Sequence, residues 1–130
     1  MMLRVTRAAL ERMRAAARDS APEECCGLLL GREAIEDAVP AGNVAADPRR
    51  RFEIDPQALV DAHRAARADG PDVIGYYHSH PAGPSGPSAV DRAMASADGK
   101  IWAIVVEGGV TFWRDGRDGF APLPYVVEDR

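Results

Sequence analysis

The amino-acid sequence predicts a mixed α/β (α+β) fold in which helices pack against one β-sheet. Three observations support this prediction. Apolar runs of strand length are bounded by glycine or proline, longer segments repeat apolar residues at helical spacing, and the two kinds of segment alternate along the chain. A length of 130 residues suits one domain, which we place at residues 1–130.

The first elements are a strand and a helix. Residues 2–6 have the composition of a short strand, and residues 7–18 are rich in residues that favour helices. Residues 19–22 end this helix. Its apolar stripe is formed by Ala9, Leu10, Met13 and Ala17.

The apolar run of residues 25–31 follows, and its length favours a buried strand over a helix. Residues 34–40 are expected to return as a second strand, and residues 44–50 to form an irregular loop. A short strand is predicted at residues 51–54, where polar and apolar residues alternate.

A second helix is predicted to begin with Asp55 as its N-cap and Pro56 in its first turn, and to extend to about Ala68. Its inner side is expected to contain Leu59, Val60, His63 and Ala66.

Residues 73–80 carry the clearest strand signal in the chain. The prolines and glycines of residues 81–87 exclude regular structure, and Ser88 begins a third helix that is expected to end near residue 98. The remaining strands are predicted at residues 101–106, 110–114 and 120–127.

Composition excludes several functional classes. The chain has 20 acidic and 16 basic residues, and its one tight basic cluster is Arg49, Arg50 and Arg51. A nucleic-acid binder needs more clustered positive charge than this. No segment has the roughly 20 apolar residues of a membrane span. The N-terminal residues lack a signal pattern, so we expect a cytoplasmic protein.

The two cysteines, Cys25 and Cys26, are adjacent. A disulfide between neighbours closes no useful loop, so these residues do not form a disulfide framework. We expect two reduced, mostly buried thiols.

His78 and His80 stand at the end of the strongest predicted strand. Side chains at positions i and i+2 of a strand point to the same face, so the two imidazoles can share a metal ion. Two surface histidines at a strand end give the same pattern, and the pair alone does not decide between these interpretations.

Ser88 and Asp91 have the spacing of a capping box at the start of the third helix. Capping explains both residues without catalysis, yet an aspartate held in the first turn can offer its second oxygen to a cation. Two imidazoles and one carboxylate form a known catalytic zinc set with an open fourth position. The pattern is therefore compatible both with a helix cap alone and with a Zn²⁺ site that includes His78, His80 and Asp91.

Metal-assisted hydrolysis also requires a base. Four carboxylates are candidates from the sequence: Glu23, Glu24, Glu53 and Glu107. The first two precede the strand at residues 25–30, which we expect to neighbour the strand at 73–80. Composition does not choose among the four.

The segment 78–91 resembles the JAMM signature of the MPN-plus zinc metallopeptidases. That signature is His-Ser-His-Pro, six residues, Ser, two residues, Asp, and the chain matches it without a departure in spacing. Residues 22–31 resemble the family pattern Pro-x-Glu-x-Cys-Gly-Leu-Leu-x-Gly, and residues 52–56 resemble a segment of the short bacterial members. The resemblance covers roughly the whole chain.

The resemblance implies a single curled mixed sheet flanked by helices, similar to the fold of the cytidine deaminases. It implies that His78, His80 and Asp91 bind one Zn²⁺ per chain. It further implies that Glu24 is the general base and that Ser88 donates to the substrate carbonyl oxygen and to the oxyanion that follows.

Family members hydrolyse peptide or isopeptide bonds after the Gly-Gly tail of ubiquitin and ubiquitin-like proteins. A chain of 130 residues has no room for large insertions that hold ubiquitin. It therefore resembles compact bacterial members that act on ubiquitin-like sulfur-carrier proteins and release cysteine or another amine. The tail would bind as an added edge strand, and residues 49–51 are a candidate contact for an acidic carrier.

Three other functions fit the sequence less well. A non-catalytic MPN-type interaction module need not keep the ligand residues, which are all present here. A zinc deaminase should show H-x-E and P-C-x-x-C, and the sequence has neither. A metal store would not need Glu24 or Ser88. Three more residues are expected to serve packing only: His63, Trp102 and Trp113.

Overall fold

The computed structural model describes residues 2–130 and contains three helices and eight strands in that range. In chain order these are β1 Leu3–Thr6, α1 Arg7–Ser20, β2 Cys26–Gly31, β3 Asp37–Ala41, α2 Pro56–Arg67, β4 Asp72–Ser79, α3 Ala89–Met94, β5 Ile101–Val106, β6 Gly109–Gly116, β7 Gly119–Pro122 and β8 Tyr125–Glu128.

Six strands form one mixed sheet with the order β3-β2-β4-β5-β6-β7. All neighbours are antiparallel except β4 and β5, which are parallel and are connected through α3. A parallel pair needs such a crossover connection. The mixed sheet with helices is the predicted fold class. The first and last strands, β1 and β8, pair separately in parallel.

The sheet is covered on both faces. Leu29, Tyr77 and Ala103 pack with α1 on one face, and Leu28 and Trp102 pack with α2 on the other. Because alternate residues of a strand face opposite sides, β2 and β5 must be apolar at nearly every position. This explains the continuous apolar run at residues 25–31.

Both long helices begin with the side-chain caps that their sequences favour. Thr6 Oγ1 accepts a hydrogen bond from the backbone N–H of Ala9 at 3.1 Å, and Asp55 Oδ1 accepts one from Gln57 at 3.0 Å. The predicted N-cap at Asp55 is confirmed. Within residues 2–130, no helix combines the length and the apolar character that a membrane span needs.

Two predicted strands differ from the structure. Residues 51–54 form no strand but one isolated bridge, between Asn43 and Ile54. The Asn43 side chain accepts the N–H of Glu53, so that group is not available for a ladder. The predicted strand 120–127 is split into β7 and β8. Its break contains Pro124, which has no N–H to donate.

Two helix predictions also need correction. The third helix ends at Met94 instead of near residue 98, because the Asp115 carboxylate accepts the N–H groups of Ser96 and Ala97. On α2 the prediction placed Val60 inside, but 45% of Val60 is exposed. The residues of α2 that pack against the core are Ala58, Leu59 and Ala62.

Candidate metal centre

The candidate site lies where the start of β2 meets the end of β4. These strands are neighbours, as predicted. They run antiparallel, and Cys26 is the register partner of His78. Glu24 precedes β2, and His80 follows the last residue of β4. The pairing of two strands therefore brings both histidines and Glu24 to one end of the sheet.

Three side-chain atoms form a compact triangle at this end. His78 Nε2 lies 3.1 Å from His80 Nε2, and Asp91 Oδ2 lies 3.1 Å from the first and 3.0 Å from the second. All three residues are buried, with exposures of 0%, 5% and 4% for His78, His80 and Asp91. The structure thus brings together the three residues that the sequence analysis named as metal ligands.

Helix α3 delivers Asp91 through the capping box expected from the sequence. The Ser88 hydroxyl oxygen accepts the N–H of Asp91 at 3.0 Å, and Asp91 Oδ2 accepts the N–H of Ser88 at 2.9 Å. The expectation that the second carboxylate oxygen would face a cation is wrong. The same atom, Oδ2, accepts the capping bond and contacts both imidazoles.

The triangle fits a tetrahedral zinc ion. Donor atoms bonded at about 2.1 Å in such a site lie roughly 3.4 Å from one another, close to the separations seen here. The donor set is also suitable, because two imidazole nitrogens and one carboxylate oxygen are ligands that zinc prefers, and all three residues are buried.

The protonation of these groups follows from their surroundings. Burial lowers the pKa of His78, which favours the neutral imidazole that a metal requires. Burial opposes ionisation of Asp91, but hydrogen bonds from His78 and His80 hold its pKa well below the usual range. For His80, burial lowers the pKa, yet the hydrogen bonds to Asp91 and to the Pro84 carbonyl oxygen outweigh it, and the pKa is raised.

Glu24 is a fourth buried side chain, and it lies beside the triangle of His78, His80 and Asp91. A carboxylate oxygen of Glu24 lies within 4.8 Å of ring nitrogens of His78 and His80. Only 7% of the residue is exposed, and its Oε1 has no hydrogen-bond partner among residues 2–130. Burial raises its pKa to about 7, while the charge on His80 lowers it and that on Asp91 raises it. The group can therefore exchange a proton near neutral pH.

The other three candidate bases lie elsewhere. Glu23, Glu53 and Glu107 are all exposed, and none of them belongs to the buried group of possible metal-binding side chains. The structure therefore distinguishes among four carboxylates that composition left open. Glu23 and Glu24 are neighbours in the chain, but only Glu24 points into the protein.

The rings of the two histidines are held by different contacts. His80 Nδ1 lies 2.7 Å from the carbonyl oxygen of Pro84, in the loop before α3. The His78 ring stacks on Phe52 with 4.2 Å between ring centroids, and the edge of Trp102 packs against it. Packing was expected for Trp102, whereas no role was expected for Phe52 from the sequence. Its place in the segment 52–56 was the only available signal.

The cysteines, His63, Trp113 and the basic cluster lie outside the triangle of His78, His80 and Asp91. Cys25 and Cys26 are buried and unbridged, and burial raises the pKa of Cys26 to about 12, which keeps this thiol protonated. His63 is half-buried on α2, and Trp113 is half-buried on β6. Residues 49–51 are exposed in a loop, as expected.

The chain matches a protein-family model and several known proteins. The family model described as prokaryotic homologs of the JAB domain matches residues 6–116. A desampylase from Haloferax volcanii is 37% identical over 123 residues, which is 92% of this chain and 88% of that protein. A probable TtuB-protein conjugate cleaving protease from Thermus thermophilus is 40% identical over 91 residues, which is 70% of this chain and 62% of that protein.

Solved structures agree on the fold. The crystal structure of a JAB1/MPN domain protein from Archaeoglobus fulgidus superimposes with a TM-score of 0.69 over 98% of this chain and 100% of that chain, at 20% identity. The predicted JAMM/MPN type of fold is therefore confirmed. Since the family model and the desampylase both span most of its length, the chain belongs to the family of prokaryotic homologues of the JAB domain.

Proposed function

We propose that the protein is a JAMM-type zinc metallopeptidase that hydrolyses a peptide or isopeptide bond at the C-terminal Gly-Gly tail of a ubiquitin-like sulfur-carrier protein. The observation that carries this proposal is the buried triangle of His78, His80 and Asp91 with Glu24 beside it. Relatives named for desampylase activity and for cleavage of TtuB-protein conjugates support the substrate class.

In this proposal His78, His80 and Asp91 hold one zinc ion through Nε2, Nε2 and Oδ2. When bound, zinc supplies Lewis acidity, which makes water a competent nucleophile near neutral pH. Asp91 is held rigidly because its oxygen also closes the capping box. A ligand fixed in this way would hold the cation in place without reorganising during the reaction.

Glu24 is the proposed general base. It takes a proton from the attacking water and returns it to the nitrogen of the leaving amine. Its burial close to the ring nitrogens of His78 and His80 places the carboxylate where both transfers can take place. Its unpartnered Oε1 leaves one oxygen available for the water.

Ser88 is the proposed donor to the developing oxyanion. Its oxygen accepts the N–H of Asp91, so the hydroxyl hydrogen remains available for donation. Ser88 is half-buried and adjoins the triangle through Asp91, which fits a donor at the edge of the site. A single donor of this kind contributes roughly 3 kcal/mol to transition-state stabilisation.

A flexible Gly-Gly tail fits the open edge of the sheet. Strand β3 is an edge strand, and its last residue, Ala41, pairs with Cys26, two positions from Glu24. A peptide that adds to this edge would reach the site in an extended form. The leaving group is proposed to be cysteine or another amine on the carrier's C-terminal glycine.

The test is incubation of the purified protein with ubiquitin-like proteins, TtuB among them, that carry an extension after Gly-Gly. Mass spectrometry should show cleavage directly after the second glycine, loss of cleavage with a chelator, and recovery on adding Zn²⁺. A zinc-loaded protein that binds the carriers and leaves every extension intact would instead be a non-catalytic interaction module. The cytoplasmic location and the single domain of residues 1–130 remain predictions.

A further inference from the structure

The two histidines of the metal centre differ in what holds their outer nitrogens. A metal-binding histidine usually donates its other N–H to a carbonyl or carboxylate, which fixes the ring. His80 has such a partner in the Pro84 carbonyl oxygen at 2.7 Å. His78 has none: its Nδ1 is buried and has no hydrogen-bond partner among residues 2–130.

Aromatic packing surrounds the His78 ring instead. The Phe52 ring is stacked on it with an interplanar angle of 21° and 4.2 Å between centroids. The Trp102 ring meets it edge-on at 90° and 5.7 Å, and Phe52 also packs edge-on against Trp102. His78 has no exposed surface. Rotation of the imidazole would therefore drive it into one of these two rings.

The loop that carries Phe52 is itself held firmly. Asn43 Oδ1 accepts the N–H groups of Ala45 and Glu53, and its Nδ2 donates to the carbonyl oxygens of Arg51 and Glu24. One side chain thus closes both sides of the loop, directly next to Phe52. The same side chain ties the loop to the main chain of Glu24, at the entry to β2.

We propose that Phe52 is a positioning residue for the metal ligand His78. Its ring does by stacking what the Pro84 carbonyl does for His80 by hydrogen bonding. The proposal rests on the proposed metal site, and it adds a residue that touches neither metal nor substrate. Phe52 belongs to the loop of residues 43–54, so metal affinity depends on a segment outside the ligand motif of residues 78–91.

The experiment compares Phe52→Leu and Phe52→Tyr with the matched control Phe120→Leu. Phe120 packs on the same Trp102 ring, but it makes no ring contact with His78. Zinc affinity is measured by competition with a chromophoric chelator, and Co²⁺ absorption spectra report the ligand field. We expect Phe52→Leu to bind zinc about 10- to 100-fold more weakly, as for loss of other ligand-orienting groups. Phe52→Tyr keeps the ring and should remain within about threefold of the original.

Thermal unfolding in chelator separates stability from positioning. Both leucine variants should lose stability, but only Phe52→Leu should lose zinc affinity and shift the Co²⁺ spectrum. Equal zinc affinities for Phe52→Leu and Phe120→Leu would overturn the proposal. An original chain that binds no zinc at all would overturn the proposed metal site instead.

A measurement on the unchanged chain covers the case in which Phe52→Leu does not fold. In the zinc-loaded protein, stacking on Phe52 should move the ring-proton resonances of His78 upfield of those of His80. Phe52→Tyr should preserve that shift. Ring protons of His78 without an upfield shift would show that the stacking does not persist in solution and would refute the proposal.

Discussion

Asp91 illustrates how tightly function and folding are joined in a single residue. Its Oδ2 lies 2.9 Å from the Ser88 nitrogen and 3.0 to 3.1 Å from the two imidazoles. The sequence spacing predicted both roles for this residue. It could not predict that one oxygen both closes the cap and contacts the two imidazoles, because that depends on how α3 is placed against β4.

Replacing any of the three proposed ligands should remove the metal and leave the chain folded. We expect His78→Ala, His80→Ala and Asp91→Ala to lose bound zinc in elemental analysis, since two ligands hold zinc poorly. Asp91→Ala should also cost about 0.5–2 kcal/mol of stability through the lost cap. Asp118→Ala, in the exposed β6–β7 turn, is the control. Unchanged zinc content in all three variants would contradict the assignment.

Glu24 and Glu23 provide a matched pair of adjacent glutamates. Glu24→Gln preserves shape and removes the base, so we expect zinc to stay bound while hydrolysis of an extended carrier nearly disappears. Glu23→Gln alters an exposed side chain and should behave like the original chain. Both variants are assayed for zinc content and initial rate. If Glu23→Gln were the inactive variant, the proposed base would be misassigned.

At the level of elements, Ser88 has two roles at the start of the short helix α3. It caps the helix, and it is the proposed donor to the oxyanion. Ser88→Ala should cost about 1 kcal/mol of stability and slow turnover roughly 100- to 1,000-fold. Ser88→Asn separates the effects, because asparagine caps helices well but would misplace a donor. It should be nearly as stable as the original, bind zinc and hydrolyse poorly. Activity within a few-fold of the original would leave Ser88 a cap only.

The elements also show which sequence signals are reliable. Caps and spacing are local, and Asp55, Ser88 and the paired histidines were placed correctly from them. The predicted end of α3 was wrong. The Asp115 carboxylate, on β6, accepts the N–H groups of Ser96 and Ala97 and so ends the helix earlier. Phe52 was missed for the same physical reason. Its partner His78 is distant in sequence, and no local pattern encodes that contact.

For the whole molecule, each face of the sheet has its own packed hydrophobic cluster, so we expect the chain to fold without the metal. We expect chelation to leave the far-ultraviolet circular dichroism spectrum unchanged. The unfolding temperature should fall only by the amount that zinc contributes by mass action. Readdition of Zn²⁺ should restore it. A chain that unfolds in chelator would show that the metal is structural and not only catalytic.

The basic loop of residues 49–51 is exposed and adjoins the segment that enters β2. Residues 49–51 follow Pro48, whose carbonyl oxygen accepts the N–H of Glu24 at 2.7 Å. Changing all three arginines to glutamate should lower kcat/KM for an acidic carrier. The loss should shrink at high salt, because exposed charges act mainly on association. Single variants Arg49→Glu and Arg117→Glu give a charge-matched comparison. Equal rates for this pair at low salt would exclude the loop as a carrier contact.

The connection between β4 and α3 is exposed and rich in proline and glycine, a composition that normally tolerates insertions. Here it is tied at several points. Pro84 contacts His80, Ser85 accepts the Thr111 hydroxyl, and a side chain at Gly83 would come within 3.1 Å of the His80 Cβ. Its length is thus set by the distance from His80, which follows β4, to Ser88, the N-cap of α3. In evolutionary terms, this loop should almost never change in length. Length changes should instead collect in turns that carry no such ties, such as the one between β6 and β7.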